Sequence, residues 1–512
     1  MNRRDLLKMS GAAIAAATSN PLASGAAIEK PAAQPVECWD VFELHLHGPA
    51  EGNPFIDVQL SAQFSQGHRT VSVDGFYDGE GKYLVRFMPD AVGRWDYQTT
   101  SNAPQLANST GFFICVKASG GNRGPVSVRD TYHFGYADGT PFYPFGTTCY
   151  AWVFQKDELQ EQTLKTLAVS PFNKLRMCIF PKWYRYNHAE PPIYPFPRNG
   201  EVNDYSHFQP EYFRHIERRI QDLRSIGVEA DLILFHPYDK WGYQSMSPEV
   251  DERYLRYVIA RFAAYRNVWW SLANEYNFLK SKTAGDWDRF ARIVEEADPY
   301  SHLRSIHYSG QPYDYSRRWC THAGVQDTAF DKAADWRKDW GKPVIFDECQ
   351  YEGNISNRWG SISGREMCRR FWLSVIHGTY GGHAETYLTP DEILWWSHGG
   401  VLRGESPARI AFLLKVLEET GSLGSGTIGF TAIPGGQYLA AERANHAAMF
   451  YFFDCWQPSE QSFTLPEGFS YKAEWIDIWE MKITLVGDTL KGAVTLKLPG
   501  RPGGALRFVV QS

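Results

Sequence analysis

Asn267-Val268-Trp269-Trp270-Ser271-Leu272-Ala273-Asn274-Glu275-Tyr276-Asn277 is the stretch that decides how this chain is read. From Val268 to Ala273 it is apolar or small, as in a strand buried on both faces, and it then breaks abruptly into Asn-Glu-Tyr-Asn. Lys342-Pro343-Val344-Ile345-Phe346-Asp347-Glu348-Cys349-Gln350 repeats the design, a short apolar strand ending in a carboxylate. Parallel α/β proteins, and (β/α)8 barrels above all, keep their chemistry at such places, because the C-terminal strand ends open onto the substrate-holding loops.

Working outward, strand patterns fall at residues 142–149, 174–180, 229–235, 267–273, 303–308, 320–325, 343–346 and 382–387. Between them lie helical patterns at 210–226, 251–265, 284–297 and 364–377, the first with Phe213, Ile216, Ile220, Leu223 and Ile226 at helical spacing. Strands alternating with helices predict a (β/α)8 TIM barrel over residues 130–420. Residues 37–118 hold short alternating strands separated by turns and predict an immunoglobulin-like β-sandwich. After the Gly- and Ser-rich stretch 421–429, strand patterns return and predict a small C-terminal β-sandwich domain over 427–512.

Composition narrows the partners. A net charge of -6 and a pI near 6.2 leave no footprint for nucleic acid or an anionic membrane surface. With 18 Trp and 28 Tyr, aromatic rings are plentiful enough to offer stacking surfaces for sugars, so a carbohydrate partner fits. Residues 1–30, with Asn2-Arg3-Arg4-Asp5-Leu6-Leu7-Lys8 ahead of a short Ala-rich run, look like a twin-arginine export signal and imply a periplasmic or secreted protein. That run is far below the roughly 18 residues of a membrane span. None of the eight cysteines forms a C-x-x-C pair, so no structural zinc site is expected. Cys38 and Cys115, in the first and last strands of the N-terminal region, could bridge in an oxidising compartment. His45 and His47 share one face of an ordinary strand by their spacing and do not open a βα series.

Two glutamates on separate strand ends are the minimum equipment for breaking a glycosidic bond with retention. With the strand at 267–273 taken as the fourth and that at 343–346 as the seventh, residues 132–420 resemble the retaining barrel glycosidases known as clan A. The resemblance implies Glu275 as acid/base, Asn274 as the contact to the sugar 2-hydroxyl, Glu348 as nucleophile and Arg176 as the cation that keeps Glu348 ionised. It also implies a sugar contact from His236, and no metal or organic cofactor. Met88-Pro89-Asp90-Ala91-Val92-Gly93-Arg94-Trp95-Asp96-Tyr97 resembles a strand of sandwich modules that precede such barrels. Together they are most similar to apiosidase-like bacterial glycosidases, a resemblance that carries no sugar specificity.

Other candidates stand at or beyond strand ends. Tyr308, His307, His322 and Gln350 could touch hydroxyls, and Trp395 and Trp396 could stack on rings. Trp183, Tyr184, Tyr186, Trp241 and Tyr243 could wall the cleft, and His383 and Glu385 share a face of the eighth strand. Asp347, pointing away from Glu348 in a regular strand, makes the poorer nucleophile. Two rival readings remain at this point: a carbohydrate-binding protein on an inactive barrel, and a metal-dependent hydrolase built from His236, His307, His322 and Asp347.

Overall fold

Short buried strands need neighbours on both edges, and eight of them find these in one parallel sheet. A computed structural model describes residues 35–421, 429–434 and 436–511. The expected export signal at 1–30 and most of the Gly- and Ser-rich boundary lie outside the described residues. The barrel strands are β1 (Gly146–Thr148), β2 (Lys174–Cys178), β3 (Glu229–Phe235), β4 (Val268–Ala273), β5 (Arg304–Ser305), β6 (Ala323–Gln326), β7 (Val344–Glu348) and β8 (Tyr380–His383). They run side by side in the order β5-β4-β3-β2-β1-β8-β7-β6. Side chains help close the remaining seam: Ser305 Oγ donates to the His322 carbonyl at 2.9 Å and accepts from the Gly324 amide at 3.1 Å. The Thr321 amide also reaches the Arg304 carbonyl at 2.9 Å.

Helices cover the outside. The predicted patterns become helices Pro210–Ser225, Pro248–Phe262, Ala284–Ala297 and Gly364–Ile376, each burying its apolar stripe on the strands. Side chains fill the inside. Lys174 on β2 bridges Asp231 on β3 at 2.5 Å and Asp347 on β7 at 2.8 Å, a charged layer below the catalytic end. Gly324 on β6 makes room for it, because a Cβ there would stand 2.4 Å from Asp347 Oδ2. A three-stranded antiparallel sheet, Val126–Arg129, His133–Tyr136 and Pro141–Phe142, lies against the barrel floor and presses Phe134 on Trp269 at 5.5 Å. The sequence pattern at 142–149 therefore spans two elements, the floor sheet and β1.

The N-terminal module packs a five-stranded sheet on a three-stranded one, with Phe42 stacked on Phe113 at 4.2 Å and Phe64 on Phe87 at 4.1 Å. Cys38 and Cys115 are free thiols with sulfurs 3.1 Å apart. His45 and His47 stand exposed on strand Phe42–His47. Arg86 leaves this module to meet Glu217 at 2.5 Å and the Arg261 carbonyl at 2.7 Å, both on barrel helices. The C-terminal domain, a six-stranded sheet with a two-stranded ribbon, docks through Trp372 stacked on Phe452 at 5.9 Å and Arg507 bonded to Thr420 Oγ1 at 2.9 Å.

Candidate active site

At the C-terminal mouth of the barrel, β4 ends and the chain turns sharply. Glu275 takes φ 48° and ψ 53°, a left-handed conformation that a non-glycine residue adopts only when its surroundings hold it there. Three donors hold its carboxylate. Gln326 Nε2, at the end of β6, reaches Oε1 at 3.2 Å, and Asn274 Nδ2 reaches Oε2 at 3.3 Å. The Tyr238 hydroxyl, beyond β3, donates to Oε2.

Glu348, the last residue of β7, has its own set. The hydroxyls of Tyr150 and Tyr351 donate to its two oxygens, and Arg176 Nη1 stands 3.3 Å from Oε1. The two glutamates are tied together through Asn274. Its Oδ1 accepts from Arg176 at 3.3 Å and lies 3.0 Å from the Tyr150 hydroxyl, whose one proton goes to Glu348, while its amide nitrogen donates to Glu275. His307, whose ring nitrogens have no hydrogen-bond partner, places Nε2 3.8 Å from Glu348 Oε1. Glu275 is 8% exposed and Glu348 4%, so both carboxylates are buried.

The electrostatics correct one expectation. Arg176 touches Glu348 as foreseen, yet burial pushes the Glu348 pKa above the usual carboxylate range, and the neighbouring Glu275 adds to the rise. Arg176 is shared: its Nε is 3.7 Å from Asp231, so its charge does not serve Glu348 alone. Asp347 is the acidic one. Burial works against its charge, but Lys174 and Arg176 outweigh that and hold it at about 2, which leaves it a buried ion-pair member rather than a nucleophile. Burial, with Arg176 beside it, keeps His307 well below its usual value and neutral.

Several expected contacts move. His236 spends both ring nitrogens on backbone, Nε2 on the Phe180 carbonyl at 3.1 Å and Nδ1 on the Tyr238 amide at 3.3 Å. It therefore positions Tyr238 and leaves no ring nitrogen free for a sugar. Burial, reinforced by Lys182, pushes it down to about 3. His322 precedes β6 and lies at the opposite end of the barrel, edge-on to Trp269 at 5.3 Å. Gln326, at the other end of that strand, occupies the site in its place. Tyr308 is buried against Tyr315. Trp395 is buried too and donates from Nε1 to Thr147 at 2.8 Å, so it is a packing residue and not a stacking platform. Trp396 does line the site, within 5.3 Å of both Tyr184 and Tyr351 and 5.8 Å of Tyr150. Tyr243 packs on Phe180 at 4.8 Å in the core, whereas Tyr184 faces Tyr186 and Tyr238.

The residues of the metal reading do not converge. Among the described residues, ligand atoms within 4.8 Å of one another belong to Glu352, His383 and Glu385. Those carboxylates are engaged by chain: Glu352 accepts from the Glu405 amide at 2.7 Å and the Ser406 amide at 3.1 Å, and Glu385 from the Arg403 amide at 2.7 Å.

Sequence reasoning passed over Tyr150, Tyr238, Tyr351, Gln326 and Lys182. Tyr150, Tyr238, Tyr351 and Gln326 all sit at or just beyond strand ends, which was a usable signal. Tyr150 and Tyr351 are single tyrosines in a chain with 28 of them.

The family with the apiosidase-like catalytic domain matches residues 129–387, the segment that holds Glu275, Glu348 and the side chains bonded to them. The chain belongs to that family. It is an enzyme of the glycoside hydrolase class. Residues 35–102 and 437–509 match two domain families of unknown function. A provisionally assigned glycoside hydrolase from Bacteroides vulgatus ATCC 8482 is 37% identical over 93% of this chain and 100% of its own, with a TM-score of 0.87. A family 5 glycoside hydrolase from the same organism is 15% identical over 76% of this chain and 94% of its own, with a TM-score of 0.53, and so shares the fold. No curated protein matches the chain.

Proposed function

We propose that this enzyme cleaves O-glycosidic bonds of plant or microbial polysaccharides or oligosaccharides with retention, using Glu348 as nucleophile and Glu275 as acid/base. The observation that carries the reading is the Asn274 bridge, which binds both glutamates into one hydrogen-bonded unit. That compactness suits a retaining pair, whose carboxyls lie about 5–5.5 Å apart, rather than an inverting pair that must leave space for a water.

The residues divide the work. A Glu348 oxygen attacks the anomeric carbon as the bond to the leaving oxygen breaks, and the Glu275 proton passes to that oxygen. Once the ester to Glu348 has formed, Glu275 has given up its proton and stands as the base. Glu275 then takes a proton from water, the water oxygen bonds to the anomeric carbon, and the ester electrons return to Glu348. Tyr150, Tyr351 and Arg176 favour the ionised Glu348 at the start and at the end of the cycle.

An activated glycoside, whose leaving group needs no proton, separates the two roles. Glu275→Ala with azide should give a glycosyl azide of retained configuration, and Glu348→Ala an azide of inverted configuration. The opposite pairing would reverse the roles, and near-normal turnover by both variants would end the reading. The twin-arginine pattern in residues 1–30 supports export to the periplasm or the exterior. Cell fractionation, with Arg3 and Arg4 changed to Lys as control, tests it: the wild type should leave the cytoplasm and the control should stay.

A further inference from the structure

Among the described residues, Lys174, Lys182 and Lys282 bury their side chains inside or against the barrel, and two of them are treated as physical chemistry requires of a structural charge. Lys174 is paired with Asp231 and Asp347, and Lys282 with Asp251 at 2.5 Å and the Met246 carbonyl at 2.8 Å. Lys182, beyond β2, is only 2% exposed and is handled differently. Its Nζ lies 3.4 Å from the centre of the Tyr150 ring, 4.5 Å from that of Tyr238, 4.7 Å from that of Tyr184 and 5.8 Å from that of Trp396. Among the described residues, no carboxylate lies within ion-pair distance of it, and no protein acceptor takes any of its three N–H donors.

Ring faces attract an ammonium, but they leave its hydrogen-bonding capacity unspent. Donors that find no acceptor in the protein turn to water or to what enters beside the two catalytic carboxylates. Two of the rings that clamp Lys182 also hold the pair: Tyr150 bonds Glu348, and Tyr238 bonds Glu275. The ammonium is thus aligned with the place where a sugar must sit for both glutamates to reach its anomeric bond. Burial lowers its pKa.

Resting on the glycosidase reading above, we propose that Lys182 is a further catalytic residue, an aromatic-caged ammonium that donates hydrogen bonds to hydroxyl oxygens of the sugar held between Glu275 and Glu348.

A cycle between enzyme and substrate tests contact directly. The full chain and its Lys182→Met variant are assayed on an activated glycoside that the wild type cleaves and on its mono-deoxy analogues, with melting followed in parallel. Lys182→Met should lower kcat/KM about 100-fold with the melting temperature unchanged. One deoxy analogue should be a poor substrate for the wild type, yet as good as its parent glycoside for the variant. Should the Met variant fail to fold, Lys182→Gln is put through the same cycle. Loss factors that simply multiply for every analogue would show that Lys182 acts through the tyrosines and not on the sugar, overturning the proposal. So would a kcat/KM within threefold of the wild type. Either result leaves the glycosidase reading standing, whereas a wild type that cleaves no glycoside would remove both.

Discussion

Glu348 accepts bonds from two tyrosines and an arginine, and its pKa still stands above the usual carboxylate range because burial outweighs them. The sign of its contribution to stability follows. A carboxyl whose folded pKa is raised stabilises the fold while protonated, and that contribution disappears as pH rises from the ordinary carboxylate value through the raised one. At neutral pH the ionised Glu348 is therefore a net cost to the fold. Glu348→Gln, with no charge to bury, should melt higher than the wild type at pH 7, by about 1–2 °C, with the difference fading toward pH 4. Calorimetry at the two pH values checks it, and a lower melting temperature at pH 7 would contradict the assignment. Removing one donor should push the nucleophile further up. Tyr351→Phe should shift the acid limb of kcat/KM to higher pH while most of the activity returns above it, so an unshifted limb with uniformly reduced rate would show that Tyr351 does not act through the Glu348 charge.

At the level of elements, what could be read in the chain was what burial writes into composition. β4 and β7 are apolar runs closed by carboxylates, and both proved to be barrel strands that deliver those carboxylates to one mouth. β6 shows the limit. Its short run, Ala-Gly-Val-Gln, is preceded by His322, and composition does not say which end faces the substrate when both carry a polar residue. The histidine attracted the reading, while Gln326 reached Glu275. Tyr150 and Tyr351, just beyond β1 and β7, were passed over for another reason. Their partner Glu348 is 198 and three positions away respectively, and only the closed barrel brings all three together. Gly324 tests how closely β6 and β7 are fitted. Gly324→Ala puts a methyl 2.4 Å from Asp347 Oδ2, against a carboxylate already held by Lys174. The expected cost is about 1–3 kcal/mol in chemical denaturation, with reduced activity because Glu348 is the next residue along the strand. Unchanged stability would mean that Asp347 moves freely.

Across the whole molecule, the N-terminal module and the barrel meet through charges that neither could bury alone. Arg86, on the strand that pairs with Phe42–His47, enters the interface and bonds Glu217 on one barrel helix and the Arg261 carbonyl on another. Arg261 in turn bonds Glu217 at 2.7 Å and Asp78 of the module at 2.8 Å, so the four side chains alternate in sign across the boundary. The two arginines lie over the Phe76 ring, which closes the cluster from the module side. Removing one member of such a buried network leaves its partners as uncompensated charges, which costs about 3–5 kcal/mol. Arg86→Met keeps the stem and removes the charge, stranding Glu217 with Arg261 as its remaining partner. It should lower the unfolding midpoint by that amount in a single cooperative transition, because the network belongs to both bodies at once. Glu217→Gln in the same chain should recover part of the loss, since it removes the stranded charge. Catalysis, seated at the far ends of the strands, should keep its kcat at temperatures below the transition. A variant that instead unfolds in two separate steps would show the module and the barrel to be independent folding units, with the network contributing little to either.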